Sequence, residues 1–322
     1  MHTAAIGGYF ELELATGTGE YHTAALRLQS ARAALLALLQ QGQPSAVWLP
    51  WYLCHSMLEP LQACGIRVHR YGLDAQLRPT ALPELGPREW LLYVNYFGLC
   101  DGNIEQLLAH YPASQLILDH SQAFYAAARP CLANLYSPRK FFGVPDGGYL
   151  YSTLALTPPA EQDQGSLARC QHLLQRLAGA PEPGYASYLA SEASLSGQPP
   201  RRMSALTERL LNSLDYPAIG ARRRANYHYL ARQLDGRNQL ALDCAATAAP
   251  LCYPLLLPAG QAARLRTSLL AQRIYTPVYW PELAAQDGLP AGEMRLVQDC
   301  LFLPCDQRLD QAELDRMLMA VA

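Results

Sequence analysis

Lysine is almost missing from this 322-residue chain. Of its 25 Lys and Arg residues, all but Lys140 are arginine, so one side-chain amine is on offer for any chemistry that needs one. Charge of either sign is sparse. Asp, Glu, Lys and Arg make up 16% of the residues and nearly cancel, leaving a net charge of −2 and a pI near 6.4. That balance lacks the basic excess of a nucleic-acid or membrane-surface binder. The short clusters Arg201-Arg202 and Arg222-Arg223-Arg224 read as helix faces and ion pairs. Long apolar runs are missing too, since stretches such as Ala33 to Leu39 are far too short to span a bilayer. Paired cysteine spacing is likewise missing. The nine cysteines include no CxxC, and Cys300 and Cys305 have no histidine neighbour. A disulfide framework and a zinc site are therefore not expected, and most of the thiols read as small buried groups. Met1 to Gly8 has neither the basic start nor the apolar core of a secretory signal, so the expected compartment is the cytoplasm.

What is present is apolar mass, half of the residues, enough for a large core. Strand-like and helix-like runs alternate through the first half. Ala31 to Gln41 reads as a helix with Ser30 as N-cap and Gly42 as its stop. Met57 to Cys64 and Asn103 to Tyr111 read as further helices. Ala46 to Pro50, Ile66 to Tyr71, Trp90 to Tyr96, Gln115 to Asp119 and Gly148 to Ser152 read as strands. This order predicts an α/β fold with a mostly parallel sheet covered by helices. Thr157 to Pro200, rich in Pro, Gly, Ser and Gln, reads as a surface excursion with one helix, Leu167 to Leu177. Arg202 to Leu234 reads as helical with a break at Tyr216-Pro217. Beyond it a strand (Cys252 to Leu257), a helix (Gln261 to Gln272), strands at Ile274 to Tyr279 and near Asp299 to Pro304, and a closing helix from Asp310 predict a smaller α+β domain. The expected division is residues 1–204 and 205–322.

Chemistry concentrates in two segments. Leu118-Asp119-His120-Ser121-Gln122-Ala123 ends an apolar strand in a carboxylate. Eighteen residues after Gln122 comes Lys140, inside Ser137-Pro138-Arg139-Lys140-Phe141-Phe142-Gly143-Val144-Pro145-Asp146-Gly147-Gly148. Read alone, Asp119 is an aspartate that turns the chain after a strand. With Lys140 it gives what a pyridoxal 5′-phosphate (PLP) site needs. The amine forms a Schiff base to the cofactor aldehyde, and the carboxylate keeps the pyridine nitrogen protonated. Gln122 is placed to bond the ring oxygen. Ser30, Ala31 and Arg32 open the first long helix with small residues and a guanidinium, a setting for the cofactor phosphate.

These blocks resemble the DegT/DnrJ/EryC1/StrS family of fold-type I PLP enzymes, best known as sugar-nucleotide aminotransferases. Ser30 to Leu35 is similar to its phosphate turn, Leu118 to Ala123 to its Asp-and-Gln segment, Lys140 to Gly148 to its lysine loop, and Tyr93 to Gly98 to a strand end. The resemblance implies Asp119 at the pyridine nitrogen, Gln122 near the ring oxygen, Ser30 at the phosphate, and Lys140 as Schiff base and proton shuttle. It also implies a homodimer with shared active sites. The sequence departs from the family at several positions. Ala31 and Arg32 replace a glycine and a threonine. Leu135 stands where a phosphate serine is usual, with Ser137 as its substitute. The ring-stacking position falls on Cys54, flanked by Tyr52 and His55. Pro199 to Met203 replaces a hairpin that reaches the partner's phosphate, a role Arg201 or Arg202 could take.

The expected function is that of a PLP-dependent aminotransferase moving an amino group from an amino acid, glutamate by resemblance, to a nucleotide-linked keto-sugar. Arg32, Tyr96, Tyr279, Arg201 and Arg202 are the substrate contacts to look for. A PLP-dependent sugar dehydratase is the weaker rival, because dehydratase relatives carry histidine where Lys140 stands. A non-catalytic or regulatory relative is the other rival.

Overall fold

The computed structural model of the chain describes residues 6–240, 242–244 and 248–322; Met1 to Ala5, part of the stretch inspected for a leader, lie outside it. The first half runs β1 (Leu26–Leu28), α1 (Ala31–Gly42), β2 (Ala46–Pro50), α2 (Leu58–Ala63), β3 (Arg67–Tyr71), β4 (Glu89–Val94), α3 (Asp101–His110), β5 (Leu116–His120), β6 (Ala133–Tyr136) and β7 (Gly148–Ser152). Four helices follow: α4 (Ser166–Arg169), α5 (Gln171–Ala178), α6 (Tyr185–Ala193) and α7 (Ala205–Asn212). The chain closes with α8 (Tyr216–Leu234), β8 (Cys252–Leu256), α9 (Gln261–Ala271), α10 (Ala291–Asp299), β9 (Cys300–Pro304) and α11 (Gln311–Val321).

Seven strands form one sheet in the order β1-β7-β6-β5-β4-β2-β3. Strands β2 to β6 run parallel, and β7 is antiparallel to both its neighbours. Every residue of β5 and β6 is buried, as the near-continuous apolar runs of a sheet covered on both faces require. A second sheet pairs β8 and β9 antiparallel. The expected architecture, a mostly parallel sheet with helices and a small α+β part, is the one observed. Among the described residues no helix is long and apolar enough to cross a membrane. All nine cysteines are free and five are buried.

Local expectations fared unevenly. Ser30 caps α1, its hydroxyl accepting the Ala33 N–H at 3.0 Å. Gly42 does not stop that helix. Gln43 takes the left-handed turn, at φ 44°, and Gly42 is needed because a Cβ there would lie 2.2 Å from the Trp90 indole. The break in the long helical stretch falls at Ser213 to Asp215. Tyr216-Pro217 opens α8 instead, with proline in the first turn and Asp215 as the cap. Strands β1 and β6 were not expected, being three and four residues long, and Asn134 interrupts the apolar run of β6. The single helix expected over Leu167 to Leu177 is two, α4 and α5, and α6 and α10 are additional. No strand forms over Ile274 to Tyr279. Pro277 removes a ladder donor, and left-handed residues bracket the segment at Arg273 (φ 58°) and Trp280 (φ 54°).

Candidate active site

Three neighbouring parallel strands, β4, β5 and β6, end at one cavity of about 250 Å³, which also takes in the N-terminus of α1. Ligands in such sheets bind outside the carboxyl ends of the strands. Ser30, Ala31, Arg32, Cys54, Asp119, Gln122, Ser137 and Lys140 all line this cavity. Residues that the sequence pointed to from positions over a hundred apart are thus brought together.

Asp119 is in register with Val94 on β4 and is 3% exposed. Burial pushes its carboxyl above the usual aspartate range, opposed by the hydrogen bonds of Ser121 and by the charge of Lys140. The Ser121 N–H donates to Oδ1 at 2.8 Å. Gln122 is oriented by its own acceptor: Oε1 takes the Phe97 N–H at 3.0 Å, in a turn where Phe97 has φ 59°. That leaves Nε2 buried, on the cavity, without an acceptor. An orphaned buried donor is costly, so the site is short of a ligand acceptor at this point.

Lys140 ends a one-turn 3₁₀ helix, Pro138–Lys140, and is exposed. Its loop is held from two sides. Gly147 N–H donates to the Gln29 carbonyl at 2.7 Å, and Gly148 lies so close to Ser30 that a Cβ would come within 2.2 Å of its carbonyl carbon. From the other side Arg223, 2% exposed, stacks 4.5 Å over the Phe141 ring, and Gln307 Nε2 donates to the Phe141 carbonyl at 2.9 Å. The middle arginine of the Arg222 to Arg224 cluster is therefore a buried brace rather than part of a solvated face. Asp146 is buried, accepts from the N–H and hydroxyl of Ser204, and so ties the loop to α7.

Arg32 lines the cavity with Nε buried and unpartnered. Its Nη1 lies 3.0 Å from Glu59 Oε2, an ion pair whose angles make no hydrogen bond. Six sequence candidates lie off the cavity. Tyr52 and Tyr96 are fully buried, and the Tyr96 hydroxyl donates to the Tyr52 carbonyl at 2.6 Å. His55 is exposed at the start of a 3₁₀ turn. Tyr279 packs on Phe302. Arg201 pairs with Glu161 at 3.0 Å, and Arg202 donates to the Ala160 carbonyl at 3.3 Å. Ring packing, hydrogen bonds and an ion pair occupy these side chains, His55 apart. The cavity is completed by residues not anticipated: Arg139, His172, Tyr188, Glu192, Leu195 and Trp280. Arg139 alone carried a local signal, its position next to the one lysine.

No protein-family model matches the chain, and no curated protein does. Solved structures do match. A sugar aminotransferase, CalS13 from Micromonospora echinospora, is 16% identical, with a TM-score of 0.64 over 92% of this chain and 86% of that one. NtdA from Bacillus subtilis, solved with bound cofactor PMP, is 15% identical, with a TM-score of 0.66 over 92% of this chain and 72% of that one. A DegT DnrJ EryC1 StrS aminotransferase from Brucella abortus is 15% identical, with a TM-score of 0.59 over 92% and 84%. The chain has the fold of these proteins, as the family resemblance of its sequence blocks implied.

Proposed function

We propose that this protein is a PLP-dependent aminotransferase that takes an amino group from an amino acid, glutamate in the simplest case, and delivers it to a keto-sugar linked to a nucleotide. One observation carries the reading. The only lysine of the chain shares a cavity with a buried strand-end aspartate and with a glutamine whose amide N–H₂ has no partner. The bound cofactor supplies an electron sink for charge developing at the carbon that bears the amino group. The chain supplies the rest. Asp119 would accept the pyridine N–H, gaining a cationic partner for a carboxylate that burial now disfavours. Gln122 Nε2 would donate to the ring oxygen. Ser30, Ala31, Ser137 and Arg32 would hold the phosphate, Arg32 through its free Nε. Lys140 would hold the aldehyde carbon and, once released, move the proton at the substrate carbon. Cys54 would face the ring. The working form would be a homodimer with shared active sites, as the resemblance implies.

A single lysine makes the test clean. Borohydride reduction of the protein incubated with PLP should fix one cofactor mass to the peptide carrying Lys140. Glutamate added before reduction should convert the visible absorption band and abolish that labelling. Lys140→Ala should lose both and keep the fold. A band that no amino donor alters would instead favour a binding or regulatory protein, and the absence of any band at saturating PLP would overturn the reading.

A further inference from the structure

Four of the cavity residues that the cofactor does not need form a cluster of their own. Arg139 and Glu192 are ion-paired. His172 and Tyr188 stack edge to face at 5.6 Å, and both feel the charges of Arg139 and Glu192. The two members of the ion pair are unequal. The Arg139 side chain is 14% exposed and that of Glu192 is 43% exposed. Arg139 Nε is buried without an acceptor, so this guanidinium is desolvated and only partly satisfied.

The ion pair of Arg32, the other arginine on the cavity, shows the contrast. Glu59, the partner of Arg32, also accepts from the Ser196 hydroxyl at 2.8 Å and from the Gly197 N–H, so it is fixed in place. Among the described residues, the Glu192 carboxylate has hydrogen bonds to Arg139 alone. It can swing into water and leave the guanidinium fork to another carboxylate.

We infer that Arg139 binds the α-carboxylate of the amino donor, which displaces Glu192. This inference rests on the aminotransferase reading. Arg139 is adjacent to Lys140 in the chain and lines the same small cavity, so an anion that it binds lies close to the reacting amine. In an amino acid the α-carboxylate is one bond from the carbon that bears nitrogen. In a nucleotide-linked sugar the nearest charge is several bonds from the keto carbon. The planar fork of arginine matches a carboxylate in two parallel hydrogen bonds.

Glutarate, an unreactive dicarboxylate, is the probe, with binding to the PLP-loaded protein followed by tryptophan fluorescence, since Trp280 lies on the cavity. Arg139→Gln should weaken glutarate roughly ten- to a hundredfold, the range for a charged hydrogen-bond pair, and Arg139→Lys should recover part of the loss. Glu192→Gln should tighten binding, a gain that misfolding cannot produce. In a second measurement the spectral change driven by glutamate is compared with that driven by its α-carboxamide. The wild type should prefer glutamate, and Arg139→Gln should level the two. Unaltered glutarate binding in Arg139→Gln and Glu192→Gln, or full discrimination retained in Arg139→Gln, would overturn the inference. A wild type that binds glutarate through Arg139 yet never responds to glutamate would remove the transaminase reading and with it the donor, while the anion site stands.

Discussion

Gly148→Ala tests whether the lysine loop and the start of α1 form one unit. A Cβ at Gly148 would lie 2.2 Å from Ser30 C, 2.4 Å from Ser30 O and 2.5 Å from Ala31 N, all backbone atoms, where ordinary contact begins at 3.4 Å. No side chain can rotate away, so β7 and the first turn of α1 must part by about 1 Å, the shortfall from normal van der Waals contact. Such a shift breaks the 2.7 Å bond from Gly147 N–H to the Gln29 carbonyl. Overpacking costs about 1–3 kcal/mol and a lost backbone hydrogen bond about 1 kcal/mol, so unfolding in urea should show a loss of about 2–4 kcal/mol. The same shift moves Ser30 and Arg32 relative to Lys140, and misplacement by about 1 Å is worth up to roughly a hundredfold in a positioned site. PLP affinity, read from the absorption band, should fall at least tenfold. Gly143→Ala is the control in the same loop, because its Cβ would meet nothing closer than Leu173 Cδ2 at 3.6 Å, and it should change stability by less than about 0.5 kcal/mol. If the two variants melt and bind PLP alike, the close approach at Ser30 is not what joins the two halves of the site.

Three further outcomes follow from buried charge. Asp119→Asn should make the cofactor-free protein no less stable at neutral pH, because burial raises the carboxyl above its unfolded value and an ionised buried acid opposes folding; calorimetry should show this while transamination is lost, and a large drop in melting temperature would refute it. His120 and His22 are buried, and desolvation pulls them to about 3 and about 4. Folded values below the unfolded 6.5 mean that stability is fully present above pH 6.5 and falls as pH drops toward the folded values, by roughly 2 kcal/mol per histidine at pH 5; a melting temperature flat between pH 7 and 5 would refute this. Arg169 and Asp163 form an ion pair with both side chains under a tenth exposed. Arg169→Met strands Asp163 and should cost about 3–5 kcal/mol in urea denaturation, whereas a loss below about 1 kcal/mol would show that water reaches the aspartate.

The fold was legible where burial is continuous. Strands β4 and β5 announce themselves as Trp90 to Val94 and Leu116 to Leu118, because a strand covered on both faces has no polar position to disguise it. Strands β1 and β6 did not, because three residues at a sheet edge, or four with Asn134 among them, carry no period. Asn134 tolerates burial because Arg129 meets it twice, donating its N–H to Oδ1 at 2.9 Å and accepting from Nδ2 at 2.9 Å. Such pairing is invisible until the turn between them is folded. In the site, the same line divides Lys140, Asp119 and Gln122 from the cavity wall. The first three carry chemistry in their own side chains at short spacing. Tyr52, Tyr96 and Tyr279 have the right composition for a pocket, but their rings are spent on each other, on Trp280 and on Phe302.

The expected strand over Ile274 to Tyr279 and the overlooked wall residue Trp280 are one misreading. β-branched and aromatic residues favour a strand there, but that preference holds only where a neighbouring strand exists to pair, and the small sheet stops at β8 and β9. The segment crosses instead toward the cavity. Arg273 and Tyr275 both bond Glu182, and Trp280 sits in the left-handed region with its indole 4.5 Å from the ring of Tyr52. A bulky residue held at positive φ costs of order 1–3 kcal/mol and persists where its surroundings demand it. The surroundings here are a cavity that Trp280 lines together with Cys54, in the loop that follows β2. On the proposed function, Trp280, 226 positions beyond Cys54 in the chain, would add aromatic surface beside the cofactor ring, and its left-handed backbone would be the local cost of placing the indole on the cavity.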